Sequence, residues 1–105
     1  MTELEKIQEQ IDSLRTRYAE VKQEVASLKT QLEAKRKEQG AAIVESKDAS
    51  KAGKEIVTLQ SQITGAEEAQ EQIRETLRGL VDDRDALLRG IALDHAANKL
   101  SLIHI

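Results

Sequence analysis

The chain has 105 residues, a third of them charged, with 19 Asp and Glu against 16 Lys and Arg and a formal net charge of −3. It carries one aromatic residue, Tyr18, and no Phe, Trp, Pro or Cys. This composition excludes a disulfide framework and thiolate metal sites, argues against a globular core, and fits long helices with a 3.5-residue apolar repeat.

Chain order begins with Thr2 and Glu5, which have the spacing of a capping box ahead of the first apolar residue of a helix. From there Leu4, Ile7, Ile11, Leu14, Tyr18, Val21, Val25, Leu28 and Leu32 alternate steps of three and four, the a and d positions of a heptad. Beyond Leu32 the ladder turns polar at Lys35 and Gln39, and residues 45–54 lose apolar period among Ser46, Asp48, Ser50 and Gly53. A second ladder then runs Ile56, Leu59, Ile63, Ala66, Gln70, Ile73, Leu77, Leu80, Arg84, Leu87, Ile91. Extrapolating the first register would place Gln60 in the seam, so the phase slips inside the polar segment.

The predicted fold is therefore all-α, a long antiparallel two-helix coiled-coil hairpin. Helix 1 is predicted over about 2–45, the turn over 46–53, helix 2 over 54–92, and a short apolar tail over 93–105. Each arm should be about 60 Å long. The competing reading is one continuous helix with a stammer that dimerises with a second chain. Folding at about residue 49 pairs Ile7 with Ile91, Ile11 with Leu87, Tyr18 with Leu80, Val21 with Leu77, Val25 with Ile73 and Leu32 with Ala66. It also sets Lys29 beside Glu67 and Arg17 beside Asp83 on the flanks, with Arg84 opposite Leu14 and Gln70 opposite Leu28. Val81 and Leu88 widen the apolar stripe at the open end, and Leu100, Leu102, Ile103 and Ile105 extend it. That surface is expected to dock on a second copy or on a body missing from this chain; a tail with no native role is the alternative.

The residue types offer no catalytic constellation. His95 and His104 have no paired ligand motif, and Asp82, Asp83 and Asp85 splay around a helix as a solvated face. Gly40, Gly53, Gly65, Gly79 and Gly90 do not have phosphate-loop spacing. The expectation is a non-enzyme with no cofactor and no metal. No apolar run approaches the roughly 20 residues of a membrane span, and no leader pattern follows Met1, so the expected location is cytoplasmic.

The basic residues are more informative. Arg15, Lys22, Lys29 and Arg36 recur every seven residues at position e, a line about 31 Å long. Arg74 is expected opposite Lys22, adding to that line. Lys35, Arg36, Lys37, Lys47, Lys51 and Lys54 gather towards the turn, where residues 29–54 hold seven Lys and Arg against four Asp and Glu. A basic tip on an acidic stem has the polarity of an arm that touches a phosphate backbone. The plainer reading is that such residues keep a coiled coil soluble and in register.

Leu32, Ala34 and Arg36, then Lys37, Gly40, Ile43 and Val44, a basic turn through Gly53, and Leu87, Leu88 and Ile91 together resemble the N-terminal arm of seryl-tRNA synthetases. In that family the first helix ends as Leu-x-Ala-x-Arg-Asn-x-x-Ser-Lys-x-Ile-Gly, and the second closes with a Leu-rich segment and Ile-Pro-Asn. The likeness spans roughly residues 14–91. It departs at Lys37 for Asn, Gly40 and Ala41 for Ser-Lys, Val44 for Gly, and Ala92 and Leu93 for Pro-Asn. The resemblance implies an accessory arm, without the catalytic domain, that clasps the long variable arm of a serine tRNA. Arg15, Lys22, Lys29, Arg36 and Arg74 would follow the tRNA backbone, and Lys37, Lys47, Lys51 and Lys54 would grip at the tip. The rival class is a structural or scaffolding coiled coil that binds a protein partner or itself.

Overall fold

The computed structural model describes residues 2–103, and the side chains of residues 2–91. It is an all-α, two-helix hairpin: α1 spans Glu3–Val44, α2 spans Ser50–Ile103, and residues 45–49 connect them. The chain reverses, so the continuous-helix reading is set aside. Two compact units divide the hairpin: a turn unit, Arg17–Ile73, and a terminal unit, Met1–Thr16 with Arg74–Ile105.

Both ends of the connection are built by local hydrogen bonding. At the end of α1 the Lys47 N–H donates to the Ala42 carbonyl at 2.8 Å and the Ser46 N–H to that of Ile43 at 3.1 Å. This is a Schellman cap, with Ser46 in the left-handed conformation at φ 58°. Glycine normally fills that position, because a Cβ there clashes with the backbone. Two residues later Asp48 starts α2, its Oδ1 accepting the Ser50 N–H at 2.9 Å. At the other end of α1 the Thr2 hydroxyl accepts the Glu5 N–H at 3.1 Å and donates to the Glu5 carboxylate at 3.1 Å, the cap foreseen from their spacing.

In the turn unit the buried part of the seam is apolar. Leu32, Ile56, Leu59 and Ile63 form a buried cluster against which Leu28 packs, and Val21, Val25 and Ala52 are buried as well. Each large side chain so buried contributes roughly 1.5–3 kcal/mol relative to exposure. In the terminal unit Ile11 is fully buried. Ile7 lines a groove with Leu87 and Ile91, and Leu14 lines another with Thr76 and Leu80.

The register differs from the predicted one by about a heptad. Leu32 joins a buried cluster with Ile56, Leu59 and Ile63, centred about a heptad before the expected Ala66, and the Lys35 ammonium meets Glu55 at 2.7 Å. In the terminal unit Arg84, expected opposite Leu14, instead donates to Gln8 Oε1 at 3.2 Å. The reason is periodicity. Sliding one ladder by seven residues keeps a facing d, so seam hydrophobicity cannot choose between such registers. The caps choose, by placing the reversal at residues 45–49, ahead of the expected centre. The predicted flank pairs go with the register: Arg17 pairs within α1 to Glu20 at 3.1 Å, and Lys29 makes no ion pair among the described residues.

The element boundaries move too. Helix α2 starts at Ser50, inside the segment 46–53 assigned to the turn, because Asp48 caps it there. It also runs without a break through residue 92 to Ile103, so the backbone of 93–103 is helix and not a separate tail. The predicted stop rested on lost apolar phase, and no proline or glycine after Gly90 enforces one. Among the open-end residues Val81 is half-buried and Leu88 and Ile91 are exposed. The side chains of Leu100, Leu102, Ile103 and Ile105, and those of His95 and His104, lie outside the described residues.

Two substitutions test this account of the caps and the seam. Ser46→Gly should raise unfolding free energy by about 1 kcal/mol by relieving the left-handed Cβ, read as a higher urea midpoint. An unchanged or lower midpoint would contradict the cap. Arg84 sits at a seam position with its Nε buried and lacking a hydrogen-bond partner, Asp85 Oδ1 standing no closer than 3.5 Å. Arg84→Leu should therefore stabilise by about 1 kcal/mol; a loss of stability would show that Arg84 supports the seam.

Candidate nucleic-acid interface

Lys22, Lys29 and Arg36 sit on α1 within the turn unit, at heptad spacing beside the buried a and d residues. Flank positions next to a seam lie against it with their stems and hold their charged ends in water. All three are exposed, and none makes an ion pair among the described residues. At 1.5 Å per residue the three form a row about 21 Å long.

Towards the turn the predicted basic cluster is partly neutralised. Lys37 lies 3.7 Å from Glu33, and Lys47 lies 2.8 Å from Glu45. Lys51 and Lys54, on the first turns of α2, are exposed and make no ion pair among the described residues, though the charge of Lys51 acts on Glu55. Lys54 shares a shallow groove with Gln31, Lys35, Glu55, Thr58 and Leu59, so amide, hydroxyl and ammonium groups converge there over an apolar floor. Arg15 and Arg74 belong to the terminal unit, where both are exposed and Arg74 has an interaction partner.

Lys35 has a different role from its basic neighbours. It lies half-buried at the seam edge, 3.0 Å from Glu38 and 2.7 Å from Glu55, and links the two helices. Hydrogen bonding to Glu55 and then Glu38 raises its pKa, and the same bond to Lys35 lowers that of Glu55, aided by the charge of Lys51. The backbone N–H of Ser50, with its hydroxyl, holds the Asp48 carboxyl below its usual range. Sequence reading placed Lys35 in the seam but missed Glu55 and the capping role of Asp48. The pattern Asp48-x-Ser50 is a visible cap signal; Glu55 becomes visible only once the register is known.

Among the described residues no group of three or more His, Cys, Asp or Glu side chains could hold a metal. No helix among the described residues is long and apolar enough to cross a membrane. What the turn unit presents is a row of cations that make no ion pair among the described residues, a mixed polar groove beside it, and a single aromatic, the half-buried Tyr18 of the seam. That combination can hold phosphates by charge and by N–H donation, and provides no base-stacking platform.

No protein-family model matches the chain, and neither a curated protein nor a solved structure matches it.

The Ser50–Asp48 hydrogen bond and the Lys35–Glu55 ion pair give a pH dependence. The carboxyls of Asp48 and Glu55 titrate below their ordinary values of 3.8 and 4.5 in the folded chain. Their stabilisation is complete above those values and is lost as pH falls through the lower folded ones. Lys35 works in the opposite sense, its contribution present below 10.5 and lost as pH rises through its raised folded value. Thermal melts should show a falling Tm below about pH 4 that is less steep in the double variant Asp48→Asn, Glu55→Gln. Identical pH profiles for the variant and the parent would refute the assignment.

Proposed function

We propose that this chain is a non-catalytic RNA-binding arm, of the kind its sequence resembles at the N-terminus of seryl-tRNA synthetases, and that it holds a tRNA through the phosphate backbone. The observation that carries the reading is the row Lys22, Lys29 and Arg36, exposed and without an ion pair among the described residues, in a chain of net negative charge. A net-acidic helix pair gains nothing in solubility from collecting free cations along one flank; a polyanion uses them together.

In this mechanism each cation displaces counterions condensed on the RNA, so affinity comes from release of salt. Arg36 can take two phosphate oxygens in a fork, and the lysines act as point charges. Lys51 and Lys54 extend the grip onto α2, with Gln31 and Thr58 within the same groove as Lys54 for sugar hydroxyls. Lys37 and Lys47 would contribute by exchanging exposed carboxylate partners for phosphate, a small cost for surface pairs. Specificity would come from the shape of the RNA, since such contacts position a backbone without reading bases.

A second reading has its own observation. Leu88 and Ile91 are 45% and 55% exposed in the terminal unit, and an apolar pair of that kind suits a scaffolding coiled coil that binds a protein or a second copy.

The two readings separate on one titration. Binding to a tRNA with a long variable arm should weaken steeply with salt and exceed binding to a tRNA without one. Reversing the row with Lys22→Glu, Lys29→Glu and Arg36→Glu should lower affinity at least about tenfold at low salt and flatten the salt slope by about one unit per lost contact. Unaltered binding in the triple variant, or affinity independent of salt, would overturn the RNA reading. Reversal that leaves self-association intact while RNA binding is absent in the parent would favour the scaffold.

A further inference from the structure

We propose that the hairpin has a second register, one heptad from the one in the structure, and that its helices slide between the two. The apolar ladders permit both. In the structure's register the turn unit packs Leu28 and Leu32 among Ile56, Leu59 and Ile63. One heptad on, Leu32 meets Ala66, Val25 meets Ile73 and Leu28 meets Gln70. The terminal unit exchanges in the same way, with Ile11 moving onto Leu87 and Ile7 onto Ile91. Neither register is free of polar rungs, because Gln70 and Arg84 interrupt the α2 ladder and must face something in each.

Features of the occupied register point to a rival close in free energy. Arg84 Nε is buried without a hydrogen-bond partner, and Ile91 is 55% exposed. Ile7 and Ile91 line one open groove in this register, and the slide would bring them level across the seam. The reversal is also weakly committed. Its Schellman cap places Ser46 at φ 58° where glycine is preferred, and the first turn of α2 is Ser50, Lys51, Ala52 and Gly53, in which only Ala52 is buried. Unwinding that turn moves the reversal into 46–53, the polar stretch that has turn composition throughout. The polar links that mark the present register, Lys35 to Glu55 and Arg84 to Gln8, are partly exposed side-chain contacts that can exchange with water.

The slide moves α1 about 10 Å along α2. Within the turn unit it carries Lys29 and Arg36 further from Lys51 and Lys54 and so changes the spacing of the cations. A polyanion that fits one spacing better selects that register; this coupling rests on the RNA-binding reading, whereas the slide itself does not.

The chain has no cysteine, so introduced pairs report register cleanly. A disulfide needs Cα atoms within about 7 Å, less than the displacement. Oxidation of Leu32→Cys with Leu59→Cys should trap the register in the structure. Leu32→Cys with Ala66→Cys should trap the second one within the same monomer, more slowly. Leu32→Cys with Ile73→Cys is the control and should stay reduced. The terminal unit gives a parallel comparison, Ile11→Cys with Leu80→Cys against Ile11→Cys with Leu87→Cys. Spin labels at the exposed positions Ala26 and Thr64, nearly level across the seam in the structure's register, leave the core intact and should give two distances about 4 Å apart. A 32–66 pair that oxidises no faster than the control, or a single label distance, overturns the second register. Adding tRNA should change the ratio of 32–59 to 32–66 trapping rates by about twofold or more. A constant ratio with RNA bound overturns the coupling alone. Absence of RNA binding overturns the functional reading and leaves the register result standing.

Discussion

The structure depends on a seam that repeats every seven residues, packing two helices side chain into gap. Such a seam supplies most of the available burial: among the described residues the buried ones are Ile11, Val21, Val25, Leu32, Ala52, Ile56, Leu59 and Ile63, all apolar. Because the repeat is regular, it carries strong information about which face is inside and weak information about which rung meets which. Everything that distinguishes one register from its neighbour must come from departures from regularity: the caps at the reversal, the polar rungs, and charges on the flanks.

Those departures are concentrated where the proposed function lies. The caps made by Ser46 and Asp48 hold the reversal at 45–49, and the Lys35–Glu55 contact ties α1 to α2 beside it. The same short region carries Lys51 and Lys54 and borders the row of Lys22, Lys29 and Arg36. Positive charge that is internally satisfied, at Lys35, Lys37 and Lys47, serves the fold; charge left unsatisfied is what a phosphate backbone could use. The distinction depends on partners and distances, which composition cannot supply. Seven basic residues over 29–54 become a smaller set of available ones once Glu33, Glu38, Glu45 and Glu55 are placed.

Glycine use adds a physical remark about α2. Gly65 and Gly79 lie in mid-helix on exposed positions where an added Cβ would meet nothing within 4 Å. Each gives up roughly 0.5–1 kcal/mol of helix stability relative to alanine with no packing return inside the described residues. The helix is thus held by its seam more than by its own propensity, and a seam that holds by periodic burial is one that tolerates sliding.

The sequence by itself determined the all-α hairpin, the identity of the buried face, the Thr2 cap on α1 and the exposure of the heptad row of cations, because a 3.5-residue period acts locally and leaves its mark on every turn. It also located the reversal to within a few residues, from the loss of apolar phase between Val44 and Ile56. Only the tertiary structure decided the register, and with it the partner of Lys35, the neighbour of Arg84 and the start of α2 at Ser50. The physical reason is degeneracy: a heptad repeat turns the same face inward in neighbouring registers, so the choice falls to irregular rungs, capping hydrogen bonds and polar contacts whose partners exist only once the chain has folded back.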